Sequence, residues 1–267
     1  MFPLLAPDRM KLHQEPFLHG YIDQYLPAEA YRRLAASFID PATHPGVEVL
    51  GRGKKRLVFR APPVPDFIAQ GSEAWSEAVR ALSAPAFIGH CLAWLRANLS
   101  LDSQPAGAYR SLIAARIASG PERLQMQCEF STMERGTLLP PHADSPDKVM
   151  SFVLYFPPPE WQAAWGGETE IYAPKDPKHR YNWGNRIVAA DAMHIISSSD
   201  YRPNRLFFFA KASNAWHGVA PIVAPAGVQR RSFNFSLVVS ASGLGAAPEA
   251  GFEEEIARLE AENFRTS

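Results

Sequence analysis

The sequence predicts a mainly β protein with flanking helices, and two observations carry that expectation. From Tyr109 onward the chain breaks into short apolar runs of strand length, separated by Gly, Pro and Ser. They are Ser111 to Ile117, Leu124 to Thr132, the stretch from Leu138 to Asp144, Met150 to Phe156, Glu168 to Tyr172, Leu206 to Lys211, Gly218 to Ile222 and Arg231 to Val239. About eight such strands with turn signals between them imply a jelly roll, a cupin-like double-stranded β-helix, rather than a parallel α/β sheet. The second observation is the alternation in the last run. Arg230, Ser232, Asn234 and Ser236 share one face, while Phe233, Phe235, Leu237 and Val239 share the other. One face therefore wants packing and the other wants polar company.

At 267 residues and 46% hydrophobic content, the chain is long enough to bury a sizeable core as a single domain, 1–267. Its expected parts are an N-terminal helical layer at 1–108, a jelly-roll core at 109–240, and a C-terminal linker and helix at 241–267. An extended entry at Phe17 to Ile22 leads to an amphipathic helix opened by Leu26-Pro27-Ala28-Glu29 and running to about Phe38, with proline favouring the start. A glycine- and proline-rich stretch from Pro41 to Pro65 follows. It carries the basic cluster Arg52 to Arg56, a solvated loop, and a short strand at Leu57 to Phe59. Ser72 is placed to cap a helix over Glu73 to Leu82, and Pro85 to Leu99 forms another with Phe87, Ile88, Cys91, Leu92 and Leu95 on its apolar side. The polar segment from Lys175 to Asn204 reads as a loop or lid beside the site, with Arg180, Trp183 and Arg186 as its substrate-facing residues. Phe252 to Phe264 reads as a charged helix docked on the outside.

Chemistry concentrates at Pro141-His142-Ala143-Asp144. On an extended strand, residues two apart share a face, so this imidazole and this carboxylate can address one ion. His217, directly after the apolar strand Leu206 to Phe209 and the turn that follows it, is the best third ligand. Two histidines and a carboxylate make the facial triad of non-haem Fe(II) oxygenases, although zinc accepts the same set. Arg230 and Ser232, at i and i+2 on a neighbouring strand, suit a small organic carboxylate, because the guanidinium offers a planar fork and the serine a hydroxyl. Arg231 falls on the apolar face, which favours Arg230 as the anion binder.

In this order, His142-Ala143-Asp144, His217 and Arg230-Arg231-Ser232 resemble the HxD…H…RxS signature of the Fe(II)/2-oxoglutarate-dependent dioxygenases, specifically the prolyl 4-hydroxylase-like branch. Lys148 to Phe156, Gly166-Gly167-Glu168-Thr169-Glu170-Ile171-Tyr172 and His217 to Ile222 are similar to family segments between those anchors. The resemblance runs from about Gln125 to Val239. It implies Fe(II) held by His142, Asp144 and His217, and 2-oxoglutarate with its distal carboxylate on Arg230, Ser232 and Tyr155. It further implies O2 as co-reactant, ascorbate as an auxiliary reductant, and hydroxylation of a C–H bond with release of succinate and CO2. Asp144 argues against halogenation, because halogenating relatives carry a small residue there. The sequence departs from the family in its thirteen-residue step from His217 to Arg230, and in placing Thr132 or Met133 where relatives often carry a tyrosine. A cupin-type metal-dependent hydrolase or isomerase is the alternative, and it leaves Arg230 and Ser232 without a ligand. A non-catalytic jelly-roll binding module, which would need no metal, is a further alternative.

The substrate class, a peptidyl residue or a small molecule, is not legible, and neither is the oligomeric state. Lysine plus arginine equals aspartate plus glutamate at 27 each, so no global field draws the chain to nucleic acid or to an anionic membrane. Cys91 and Cys128 lie far apart without a partner motif, as expected of reduced structural thiols in a cytoplasmic protein. The segment Met1 to Asp8 is too short and proline-broken for a secretory signal or a spanning helix.

Overall fold

The computed structural model describes residues 5, 7–51, 53–102, 108–182 and 184–239. Its first part comprises β1 (Met10–His13), β2 (His19–Ile22), α1 (Ala28–Ala36), β3 (Glu48–Leu50), β4 (Lys54–Ala61), α2 (Asp66–Gly71), α3 (Glu73–Ser83) and α4 (Pro85–Asn98). Then come α5 (Ala108–Ala118), β5 (Leu124–Met133), β6 (Leu139–His142), β7 (Lys148–Tyr155) and β8 (Thr169–Pro174). The last four strands are β9 (Met193–Ser199), β10 (Leu206–Ala210), β11 (His217–Val219) and β12 (Arg230–Val239). They form an eight-stranded sheet in the order β1-β2-β10-β7-β12-β5-β4-β3, faced by a four-stranded sheet in the order β6-β11-β8-β9. All pairs are antiparallel. This is the double-stranded β-helix that the strand count implied.

The period-2 alternation of the large sheet separates two environments. On its outer face Met126, Cys128, Phe130, Phe152, Leu154, Phe233 and Phe235 pack with Trp75, Val79 and Leu82 of α3 and Phe87, Ile88 and Leu92 of α4 in one apolar cluster. Trp75 is its centre. Fully buried, it lies 4.7 Å from the rings of both Phe130 and Phe233. Ser72 caps α3 as expected, its Oγ accepting from the Trp75 N–H at 3.3 Å. Cys91 and Cys128 are free and buried in this layer, and burial pushes both thiols up.

The inner face of the same sheet is polar. Tyr155, Ser232 and Ser131 are neighbours across β7, β12 and β5. Val153, Asn234 and Glu129 form the next row, and Ser151, Ser236 and Gln127 the one after. These rows carry the site.

The structure corrects several expectations. Ser111 to Ile117, expected as a strand, lies in α5. Buried Ile113, Arg116 and Ile117 are spaced three and four apart and separated by alanines, which is a helical stripe. The isoleucines suggested a strand, but the alanines decide. The N-terminal layer is more than helical, because β1 to β4 extend both edges of the large sheet. Residues 175–204 are not all loop. Met193–Ser199 is β9, the edge of the small sheet, with Ile195 and Ile196 exposed. The expected helix from Phe252 to Phe264 lies outside the described residues, as do Arg52 and Trp183. Among the described residues no single helix is long and apolar enough to cross a membrane.

Replacing Trp75 with alanine leaves a large hole between helix and sheet, and should lower unfolding stability by about 3–5 kcal/mol in a denaturant titration. Ile196→Ser, on the exposed edge, should stay within about 0.5 kcal/mol of the parent. Equal losses in the two variants would contradict this placement of the core.

Candidate metal centre

His142 ends β6 and His217 begins β11, and the two are direct partners across the small sheet. Their rings stand 4.2 Å apart, centre to centre. Each Nδ1 lies within hydrogen-bond reach of the carbonyl two residues back, Pro140 at 3.0 Å for His142 and Ala215 at 2.9 Å for His217. Donation from Nδ1 to those carbonyls leaves both Nε2 lone pairs facing inward, the arrangement metal-binding histidines use. Asp144 completes the set, and one ligand atom from each of the three lies within 4.8 Å of the others.

Asp144 has φ +62°, a left-handed conformation that aspartate tolerates better than most residues. Three neighbours hold it there. Ser151 Oγ donates to Oδ2 at 2.8 Å, Lys148 Nζ lies 3.0 Å from Oδ1, and Lys211 Nζ donates to the carbonyls of Ala143 at 2.6 Å and Asp144 at 3.0 Å. Lys211 is buried and comes from the end of β10.

The protonation states suit a cation. Burial pushes His142 down to about 3, with the neighbouring His217 adding to the effect, and burial also lowers His217. Burial would raise the Asp144 carboxyl, but Lys148 and the two imidazoles more than offset it and hold the group below the usual carboxylate range. The site at neutral pH is thus two neutral imidazoles and one carboxylate. The 3.8 Å separation of His142 Nε2 and Asp144 Oδ1 marks two ligands converging on one point rather than an ion pair. This donor set fits Fe(II).

The second pole lies further along the same sheet face. Arg230 is 3% exposed, so its charge is almost wholly removed from water. Its Nε donates to the Gly167 carbonyl at 2.6 Å and one Nη to Ser232 Oγ at 3.3 Å. Gly167 has φ +82°, and a Cβ there would stand 3.2 Å from both Arg230 Cδ and Trp161 Cζ2, so only glycine brings this carbonyl up to the guanidinium. Among the described residues no carboxylate lies within ion-pair range of Arg230. Two of its five N–H groups are used, and a buried cation left in this state calls for an anion. By contrast Arg231, half-buried on the helix side, rests over the Phe38 ring at 6.0 Å.

Tyr155 lies where expected on the inner face, but its hydroxyl is bonded to Thr169 Oγ1 at 2.6 Å, which makes Thr169 part of the same cluster. The roles of Thr169 and Lys211 cannot be read from residue type or spacing, because each acts through a contact that folding makes. The 175–204 segment is pinned beside the metal ligands. Val188 N–H donates to the Pro141 carbonyl at 3.1 Å, Trp216 Nε1 donates to the His179 carbonyl at 3.0 Å, and fully buried Asn182 brackets Arg186.

Fold and triad together make a candidate metal site on a double-stranded β-helix, with a buried guanidinium further along the same sheet face. Residues 128–237 match the model of the 2OG-Fe(II) oxygenase superfamily, a stretch containing all three triad residues together with Tyr155, Arg230 and Ser232. Over those residues the chain resembles the 2-oxoglutarate-dependent oxygenases of that superfamily. A search of curated proteins returned no match. Among solved structures, a prolyl-4-hydroxylase from Pseudomonas putida is similar at 18% identity over 83% of this chain and 92% of that one, with a TM-score of 0.49. A prolyl hydroxylase from Trichoplax adhaerens, in complex with a hypoxia inducible factor peptide fragment, is 14% identical over 82% of each chain, with a TM-score of 0.46. The non-haem α-ketoglutarate-dependent carbocyclase SnoK of nogalamycin biosynthesis is 12% identical over 83% of this chain and 79% of that one, with a TM-score of 0.48.

Lys211→Met removes the cation that ties down the Ala143-Asp144 backbone, and should weaken divalent metal binding by about tenfold to a hundredfold. Anaerobic Fe(II) or Co(II) titration reads this directly. An unchanged affinity would show that Asp144 holds its pose without Lys211.

Proposed function

We propose that this protein is an oxygenase that hydroxylates a C–H bond of a peptidyl residue or small molecule, with His142, Asp144 and His217 holding Fe(II) and Arg230 and Ser232 holding the distal carboxylate of 2-oxoglutarate. The observation that carries the reading is the buried Arg230 guanidinium, which has three N–H groups without a partner among the described residues and shares a sheet face with the Ser151 that holds Asp144. A hydrolase or isomerase on the same triad would bear the cost of that buried charge with nothing to place against it. Fe(II) held by His142, Asp144 and His217 would supply the oxidising chemistry, with O2 and 2-oxoglutarate consumed, succinate and CO2 released, and a substrate C–H hydroxylated.

The chain's own residues supply position and environment. Neutral His142 and His217 present Nε2 without first losing a proton, and Asp144 is already ionised. Arg230 and Ser232 fix the direction of the dicarboxylate, because hydrogen bonds to a charged group contribute about 1.5–3 kcal/mol each. Phe209, 4.4 Å from the His217 ring, and Phe207 form an apolar wall on one side that excludes water. On the other side, toward β5 and β4, Glu129 accepts from Lys54 at 2.7 Å and from Asn234 at 2.7 Å. The primary substrate would meet that polar side and the segment Arg186 to Val188, whose Ile187 is exposed next to the strand of His142. Arg180 and Arg186 stay in this proposal as substrate-facing residues, in a segment that is pinned rather than free to swing.

Anaerobic addition of Fe(II) and then 2-oxoglutarate to metal-free protein should produce a visible charge-transfer band that needs both additions. Asp144→Ala should abolish it, and Arg230→Ala should demand about tenfold to a hundredfold more 2-oxoglutarate for half-saturation. Absence of the band in the parent protein, with zinc or manganese retained, would overturn the cosubstrate assignment.

A further inference from the structure

Gly167 and Ser232 supply hydrogen bonds to Arg230, but they leave the flat faces of its guanidinium uncovered. Two rings take up that role: Tyr201 with its centre 4.9 Å from the guanidinium carbon, and Tyr155 at 5.3 Å. Tyr201 is also bound to the strand that carries Arg230. Its hydroxyl donates to the Arg231 carbonyl at 2.9 Å and accepts from the Arg231 N–H at 2.6 Å, so one phenol engages both backbone groups of the adjacent residue. The ring is buried and wedged edge-on between Trp161 at 4.9 Å and Tyr155 at 5.4 Å. It also lines a cavity of about 610 Å³ with Tyr31, Pro158, Trp161 and Glu168.

We propose that Tyr201 is a positioning residue for the cosubstrate, acting through Arg230. It fixes the start of β12 through the Arg231 backbone and backs the guanidinium with an aromatic face. An arginine side chain has many rotamers in water, and a plate and a clamp that remove them beforehand leave less ordering to be done when the dicarboxylate arrives. The cation–aromatic contact adds to this, and gains strength because the site is dry. The inference rests on Arg230 being the anion binder, and it predicts an effect confined to the distal carboxylate.

The test compares anaerobic binding of 2-oxoglutarate and of 2-oxobutanoate to Fe(II)-loaded parent protein, Tyr201→Phe and Tyr201→Leu. 2-Oxobutanoate chelates a metal in the same way but has no distal carboxylate. Tyr201→Leu should weaken 2-oxoglutarate about tenfold, and leave 2-oxobutanoate and Fe(II) affinity at parent values. Tyr201→Phe keeps the ring, loses the clamp, and should fall between parent and leucine. Equal weakening of both keto acids would mean general loosening and would overturn the proposal, as would unchanged 2-oxoglutarate affinity in both variants. Failure of the parent protein to prefer 2-oxoglutarate over 2-oxobutanoate would instead overturn the Arg230 assignment beneath it.

Discussion

A buried guanidinium, Arg230, with no carboxylate beside it among the described residues is the constraint around which this molecule makes sense. Removing an arginine from water costs several kcal/mol unless its hydrogen bonds are replaced. Here the replacement is partial. Gly167, Ser232 and the two tyrosine rings seat Arg230 without neutralising it. Lys54 and Arg205, also buried, each have a carboxylate, Glu129 and Asp23 respectively, and buried Lys211 has the carbonyls of Ala143 and Asp144. The rest of the architecture supports that condition: an apolar outer layer under α3 and α4 stiffens the sheet, and a polar inner face holds charges in fixed positions.

The same face organises the metal ligands. Ser151 and Ser236 are partners across β7 and β12, their hydroxyls 3.2 Å apart, and Ser151 holds Asp144. Four residues further along those strands, Tyr155 and Ser232 are partners beside Arg230. One antiparallel ladder therefore sets the spacing between the serine that holds Asp144 and the Arg230 guanidinium. A register slip by one residue would turn Ser151 or Arg230 into the helix-packed layer, so the phenylalanines that fix the register also maintain this spacing.

Much of this was legible in the sequence, for identifiable reasons. His142, Asp144 and His217 could be picked out by residue type and order, although Asp144 reaches the cluster from a left-handed turn after β6 rather than from the extended strand the spacing suggested. Arg230 could be told from Arg231 because alternation assigns them to opposite faces. The phenylalanines of β12 announced the outer core for the same reason. Lys211, Thr169 and Tyr201 were not legible, since what each does depends on a strand or loop that folding brings near. Lys211 could only have been suspected as a charge at the end of the apolar run of β10. Residues 111–117 were misread because alanine and isoleucine leave the helix and strand periods ambiguous over so short a run. The edge strand β9 was hidden by three consecutive serines and by the polar residues on either side of it.

The most direct test of the account is a crystal structure of the protein grown without oxygen in the presence of Mn(II) and 2-oxoglutarate. It should place the metal on His142 Nε2, His217 Nε2 and an Asp144 carboxylate oxygen, with the distal carboxylate of the keto acid paired to Arg230 and Ser232. A metal bound elsewhere, or a dicarboxylate seated on Lys54 or Lys148 while Arg230 stays unpaired, would contradict it.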